Sequence, residues 1–127
     1  MKQALKIYLD THPLVNAILI GTRKTDPYGD KMTSMQPTDG DWPFVMRIHP
    51  ILEWSFKDIW NALLYLKIPY CILYDEGYLQ YMTFSFTSLG STSTTNPNPY
   101  LVNPSQPCGY DPAYYLADEG QERAGRT

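Results

Sequence analysis

Leu14-Val15-Asn16-Ala17-Ile18-Leu19-Ile20, running into Gly21-Thr22-Arg23, decides how this chain folds. The run is short, almost wholly apolar and rich in β-branched residues. It lacks the polar alternation of a half-exposed strand and the length of a helix. It therefore predicts a buried parallel strand, flanked on both faces, that stops at Gly21. In open α/β sheets, ligands bind just outside the C-terminal ends of the strands. Arg23 stands at that place.

Working outward, Ala4, Leu5, Tyr8 and Leu9 fall at helical spacing, so residues 1–11 predict a helix that Pro13 ends. Residues 21–43 are rich in Gly, Pro, Asp and Thr without periodicity and predict a loop. Tyr28, Met32, Met35 and Trp42 punctuate it, which favours an ordered functional loop. Residues 44–51 predict a strand that bends at Pro50. Residues 55–67 predict a helix with Phe56, Ile59, Trp60, Leu63, Leu64 and Leu66 on one apolar face. Ser55 is its N-cap and Pro69 its stop. Residues 68–74 read as briefly extended, residues 90–112 as loop, and residues 114–124 as a short terminal helix. Apolar strands joined by an amphipathic helix give an α/β layer. Three strands are few for an independent parallel sheet, so the chain reads as part of a domain.

Hydrophobic residues make up 43% of the 127 residues, enough for a core and too many for a disordered chain. A net charge of −3 argues against a general polyanion or nucleic-acid binder. No apolar run reaches the length of a membrane span, and the first residues do not form a secretory signal. Two cysteines give neither a disulfide framework nor a zinc set. A cytoplasmic protein with free thiols is the simplest expectation, and a mitochondrial form fits equally.

Candidate chemistry gathers at three places. Arg23 follows the strand and either receives a phosphate or pairs with Asp26 or Asp30. Asp39 and Asp41 stand beside Trp42 in Thr38-Asp39-Gly40-Asp41-Trp42-Pro43. There the ring could stack on a planar heterocycle while the acid accepts its N–H bonds, or the segment is an Asp-Gly turn with a core tryptophan. Arg123 and Arg126 flank Gly125 in the tail, either as phosphate ligands or as solvated charges. His12 and His49 lack partners at metal or triad spacing and read as structural. Cys71 reads as buried, and Cys108 as an unactivated thiol.

Taken in order, Gly21-Thr22-Arg23-Lys24-Thr25-Asp26-Pro27, Thr38-Asp39-Gly40-Asp41-Trp42-Pro43, Met46-Arg47-Ile48-His49-Pro50, Tyr74-Asp75-Glu76-Gly77-Tyr78, Thr87-Ser88-Leu89-Gly90-Ser91, Asn96-Pro97-Asn98-Pro99, Tyr115-Leu116-Ala117-Asp118 and Glu122-Arg123-Ala124-Gly125-Arg126 resemble the eukaryotic FAD synthase (FMN adenylyltransferase) family, its fungal members above all. The resemblance covers nearly the whole chain. It implies a partial adenine-nucleotide alpha-hydrolase-like, Rossmann-like parallel sheet with helices and long ordered loops, shared with the phosphoadenylyl-sulfate reductases. On this reading residues 1–127 are the C-terminal part of one such domain, and the N-terminal part is missing.

The implied reaction joins FMN and ATP to give FAD and pyrophosphate, with Mg2+. The resemblance makes Arg23, Asp26 and Arg126 catalytic. It gives Gly21, Asp39, Asp41, Trp42, Arg123 and Arg126 to the flavin and phosphates, and implies no protein metal ligand. The partners implied are the small molecules FMN and ATP, with no nucleic acid, membrane or obligate protein partner. The family's Ser-Gly-Gly-Lys-Asp-Ser-like phosphate loop does not occur here, and residues 79–86 read as an insertion. A non-catalytic flavin-binding remnant, or a truncated gene product, is the alternative. A sulfonucleotide reductase would need a cysteine in a Glu-Cys-Gly-type motif, whereas Gln106-Pro107 precedes Cys108.

Overall fold

The apolar run at residues 14–20 forms a strand and pairs in parallel, but it is shorter and less covered than its composition implies. The computed structural model describes residues 1–75 and 86–127 and divides into two units, Met1–Ser55 and Phe56–Thr127. In the first unit, helix α1 (Lys2–Thr11) precedes strands β1 (Ala17–Leu19), β2 (Met35–Pro37) and β3 (Met46–Ile48). The sheet order is β1-β3-β2. Strand β1 lies parallel to β3, with Ile18 opposite Arg47, and β2 lies antiparallel to β3. The sheet is therefore mixed, with the expected parallel pair inside it.

The expected cover on both faces of β1 is not found among the described residues. Leu14 is 90% exposed and Leu19 74%. Side chains alternate along a strand. Ile18 is half-buried on one face, while Ala17 and Leu19 lie open on the other. Among the described residues β1 stands at the sheet edge, with β3 as its one neighbour.

Strand β2 lies inside the stretch expected to be loop. Met-Gln-Pro has no β-branched residue, and its proline suits only an edge, which is where Pro37 sits. Thr38 closes the hairpin between β2 and β3. Its amide donates to the Val45 carbonyl (3.0 Å), its hydroxyl donates to the Pro43 carbonyl (2.8 Å), and the Val45 amide donates to that hydroxyl (3.2 Å). Val45 is buried there, as is Leu52 in the turn after β3.

In the second unit, helix α2 (Phe56–Tyr65) lies within the expected helix. Phe56, Trp60 and Leu63 recur at four and three residues and share one face. Phe56 and Trp60 join Leu101, Ala113 and Leu116 in the core, with Leu63, Tyr70, Tyr74, Tyr110 and Tyr114 packed against it. The Trp60 ring meets Tyr70, Tyr74 and Tyr114 edge-on, at centroid distances of 5.0, 5.4 and 5.6 Å. Leu64 and Leu66 lie roughly 80° to either side of this stripe at 100° per residue, and they are exposed. Lys67 ends the helix in the left-handed region, at φ 53°. The Ile68 amide donates to the Leu63 carbonyl and the Lys67 amide to Leu64, the pattern usually closed by glycine.

Two expectations fail here. Residues 68–74 do not run extended but end in a 3-10 turn, Ile72–Tyr74. Residues 114–124 form two 3-10 turns, Ala113–Tyr115 and Glu119–Gln121, instead of one helix. Leu116 and Asp118 are extended between them, and the Asp118 carboxylate takes the Gly120 amide at 2.9 Å, a local bond that competes with helix. Residues 90–112 are loop with 3-10 turns, as expected. The insertion read at residues 79–86 lies outside the described residues except for Phe86. No helix among the described residues is long and apolar enough to cross a membrane.

Candidate active site

Strand β1 delivers the first cluster. The Ile20 amide continues the parallel ladder by donating to the Ile48 carbonyl (2.9 Å), and Gly21 then frees the chain. Arg23 is only 8% exposed. Its Nη2 pairs with Asp26 Oδ1 at 3.3 Å, and its own amide donates to Asp26 Oδ2 at 2.8 Å. Of the two acids open to it in the sequence, Asp26 is a partner the structure brings to it. The loop folds back tightly: a methyl group on Gly29 would overlap the Arg23 carbonyl, so position 29 has no room for a side chain. The Lys24 amide donates to the Leu52 carbonyl (2.8 Å) and its ammonium pairs with Glu53 (2.7 Å). A guanidinium this enclosed keeps most of its attraction for an anion, because little water screens it.

The second cluster is the β2–β3 hairpin. The Trp42 amide donates to the Asp39 carbonyl, which makes the Asp-Gly turn, and the Trp42 ring is half-buried. Asp39 pairs with Arg47 Nη2 at 3.1 Å, and Arg47 also donates to the Pro37 carbonyl through Nε and Nη2. Asp41 pairs with Lys2 of α1 at 2.9 Å. The Lys2 hydrogen bond and charge hold the Asp41 carboxyl below its ordinary 3.8. Both acids are exposed, each shared with a cation that the sequence reading did not assign. Lys2 and Arg47 lie 39 and 8 residues from their partners, and no local pattern announces them.

The third cluster is the tail. Arg123 is exposed, whereas Arg126 is partly enclosed. Arg126 forms an antiparallel bridge with Thr95, and the Asn96 amide donates to the Gly125 carbonyl (2.7 Å). The Arg126 guanidinium lies on Gly90, where a methyl group would overlap it, and its Nε is buried without a hydrogen-bond partner among the described residues. The tail is therefore held by the Thr-Ser-Leu-Gly and Asn-Pro-Asn-Pro segments.

Outside these clusters, His12 stacks on Tyr8 at 4.2 Å on the exposed end of α1. His49 is 3% exposed just past β3, and neither ring nitrogen has a partner among the described residues. Its only sequence signal is its place at a strand end. Cys71, expected buried, is exposed. Tyr70 and Tyr74 turn onto Trp60, and Cys71 and Ile72 between them turn outward. Cys108 is half-buried and donates to the Tyr110 carbonyl (3.0 Å). Among the described residues, no three of His, Cys, Asp and Glu gather where they could hold a metal ion.

Known proteins are similar to this chain in sequence and in fold. The chain is 48% identical over its whole length to a protein of Schizosaccharomyces pombe named "Probable FAD synthase", and spans 44% of that relative. The structure of Candida glabrata FMN adenylyltransferase with FAD and inorganic pyrophosphate matches all of this chain with a TM-score of 0.83 at 32% identity. The match covers 53% of that protein. The same enzyme with FMN and the ATP analogue AMPCPP matches 99% of the chain with a TM-score of 0.81. The chain thus spans about half the length of these two relatives. Residues 1–97 match the family described as the phosphoadenosine phosphosulfate reductase domain, so the chain belongs to that family.

Proposed function

We propose that the chain is the C-terminal part of an FMN adenylyltransferase and contributes its flavin-monophosphate site. The observation that carries this reading is its likeness, from end to end, to an enzyme solved with FAD and pyrophosphate. In the reaction, an oxygen of the FMN phosphate attacks the α-phosphorus of ATP. The new P–O bond makes FAD, and the bond to pyrophosphate breaks. No enzyme nucleophile is needed, so catalysis is alignment and charge neutralisation.

Charge is the obstacle. The FMN phosphate carries nearly −2 and must approach a triphosphate. One like-charge pair at 4 Å costs about 1 kcal/mol in water and about 4 kcal/mol at an effective dielectric of 20. Arg23, held by Asp26, and Arg126, seated on Gly90, are fixed guanidiniums suited to that task. Arg123 adds an exposed charge. Gly21 leaves the strand end open, and Trp42 with Asp39 and Asp41 suits the flavin ring: an apolar face beside acceptors for its N–H. The described residues do not form a magnesium cage. Mg2+ often binds through one or two carboxylates and substrate phosphates, and the proposal carries it on the triphosphate. A cytoplasmic site of action completes the reading.

The test joins this chain to the N-terminal half of the fission-yeast relative and supplies FMN, ATP and Mg2+. FAD formation, lost on Arg126→Ala, is expected. A folded fusion that makes no FAD overturns the reading and favours the non-catalytic flavin-binding alternative.

A further inference from the structure

The tail that carries Arg126 lies outside the sheet and the α-helices, and buried side chains add to the backbone bridge that holds it at Thr95 and Asn96. Asn98 is the centre of that anchorage. It is 0% exposed. Its amide nitrogen donates to Thr87 Oγ1 (2.7 Å) and to the Gln121 carbonyl (2.8 Å), and its Oδ1 accepts from the Tyr100 amide (2.9 Å). Thr87, 4% exposed, donates its hydroxyl proton to the Glu122 carbonyl. A hydroxyl has one proton. Since Thr87 gives it to the tail, it can only accept from Asn98, and only an amide at position 98 can supply both donations. Two consecutive tail carbonyls are therefore held by one buried pair. Beyond them the Gly90 amide donates to Thr95 Oγ1 (3.0 Å), and Thr95 bridges Arg126.

We propose that Asn98, acting through Thr87 and the tail, is a positioning residue for the reaction: it sets where the Arg126 guanidinium stands without touching substrate. This rests on the FMN adenylyltransferase reading. An apolar residue at 98 would fill the space but take the Tyr100 amide's acceptor and leave the Gln121 carbonyl with the Ala124 amide (3.0 Å) in place of two donors. A buried polar network, fully paired, specifies one arrangement where apolar packing would accept several.

The test uses the full chain with Thr87→Val, which removes the hydroxyl, Thr87→Ser, which keeps it, and Asn98→Asp, which keeps the acceptor for Tyr100 and loses both donations. Arg126 is modified with p-hydroxyphenylglyoxal and followed by mass spectrometry, a readout that needs no ligand. FMN affinity is followed by flavin fluorescence. Thr87→Val and Asn98→Asp are each expected to raise the Arg126 labelling rate and weaken FMN binding by about tenfold, the scale of one buried hydrogen bond. Thr87→Ser should restore both. On an Arg126→Ala background, Thr87→Val should cost no further FMN affinity, because the two act as a unit. Unchanged labelling in folded variants, or additive losses of affinity, overturns the proposal. If the unaltered chain binds no FMN, the adenylyltransferase reading falls, and the labelling rates still decide whether Asn98 and Thr87 place Arg126. If the variants do not fold, amide exchange on the unaltered chain decides. One shared opening rate for the Asn96 and Arg126 amides supports the anchorage, and separate rates overturn it.

Discussion

The guanidinium of Arg126 lies on the backbone of Gly90 so closely that a methyl group there would overlap it. Glycine at 90 is thus a condition for where the arginine stands. Gly90→Ala is expected to displace the Arg126 guanidinium with little loss of stability, below about 0.5 kcal/mol, because what must move is the end of a flexible side chain. FMN affinity should fall with that displacement. Urea unfolding and an FMN titration check both.

Arg126→Lys keeps the charge and loses the planar fork that gives a phosphate two aligned hydrogen bonds. In the fusion enzyme the rate is expected to fall about tenfold or more, the loss of one charge-assisted hydrogen bond. Unchanged kinetics would mean that this side chain does not receive phosphate.

Arg23 and Asp26 are a mostly enclosed pair, with side chains 9% and 27% exposed. Asp26→Ala removes one partner and leaves the other charge short of compensation. A loss of roughly 3 kcal/mol in unfolding free energy is expected. A change below about 0.5 kcal/mol, the range of neutral surface substitutions, would mean the pair does not order this loop.

The Asp41 carboxyl is held below 3.8 by Lys2. A carboxylate with a depressed value stabilises the fold above its unfolded pKa, and that contribution is lost as pH falls through the folded value. Lys2→Ala should return Asp41 to the ordinary range, as read by carboxyl NMR titration. Tyr70 shows the opposite case. Burial first, and then its bond to Asp75 at 2.7 Å, push its phenol up to about 12. Its contribution is full below the ordinary value of 10 and is lost as pH rises through about 12. Asp75→Asn should lower that value.

Part of this was legible from the chain. The strand ending at Gly21 and the arginine beyond it follow from an apolar run that breaks at a glycine. The helix over 56–65 follows from Phe56, Trp60 and Leu63 at helical spacing. The hairpin strand Met35–Pro37 was not legible, because Thr38 makes it through bonds to residues five and seven positions away. Nor were Lys2 beside Asp41 and Arg47 beside Asp39, since each depends on tertiary placement. Cys71 was misread because an apolar neighbourhood in sequence is not a sheltered face: its neighbours Tyr70 and Tyr74 take the core, and it does not.

The central claim is that this chain holds a flavin through its phosphate, and binding compared between FMN and riboflavin tests it most directly. The two differ only in the phosphate. Flavin fluorescence titrations of the chain should show FMN bound more tightly by about tenfold or more, the worth of one charge-assisted hydrogen bond. Equal affinity for the two, or no binding of either by the folded chain, would contradict the account.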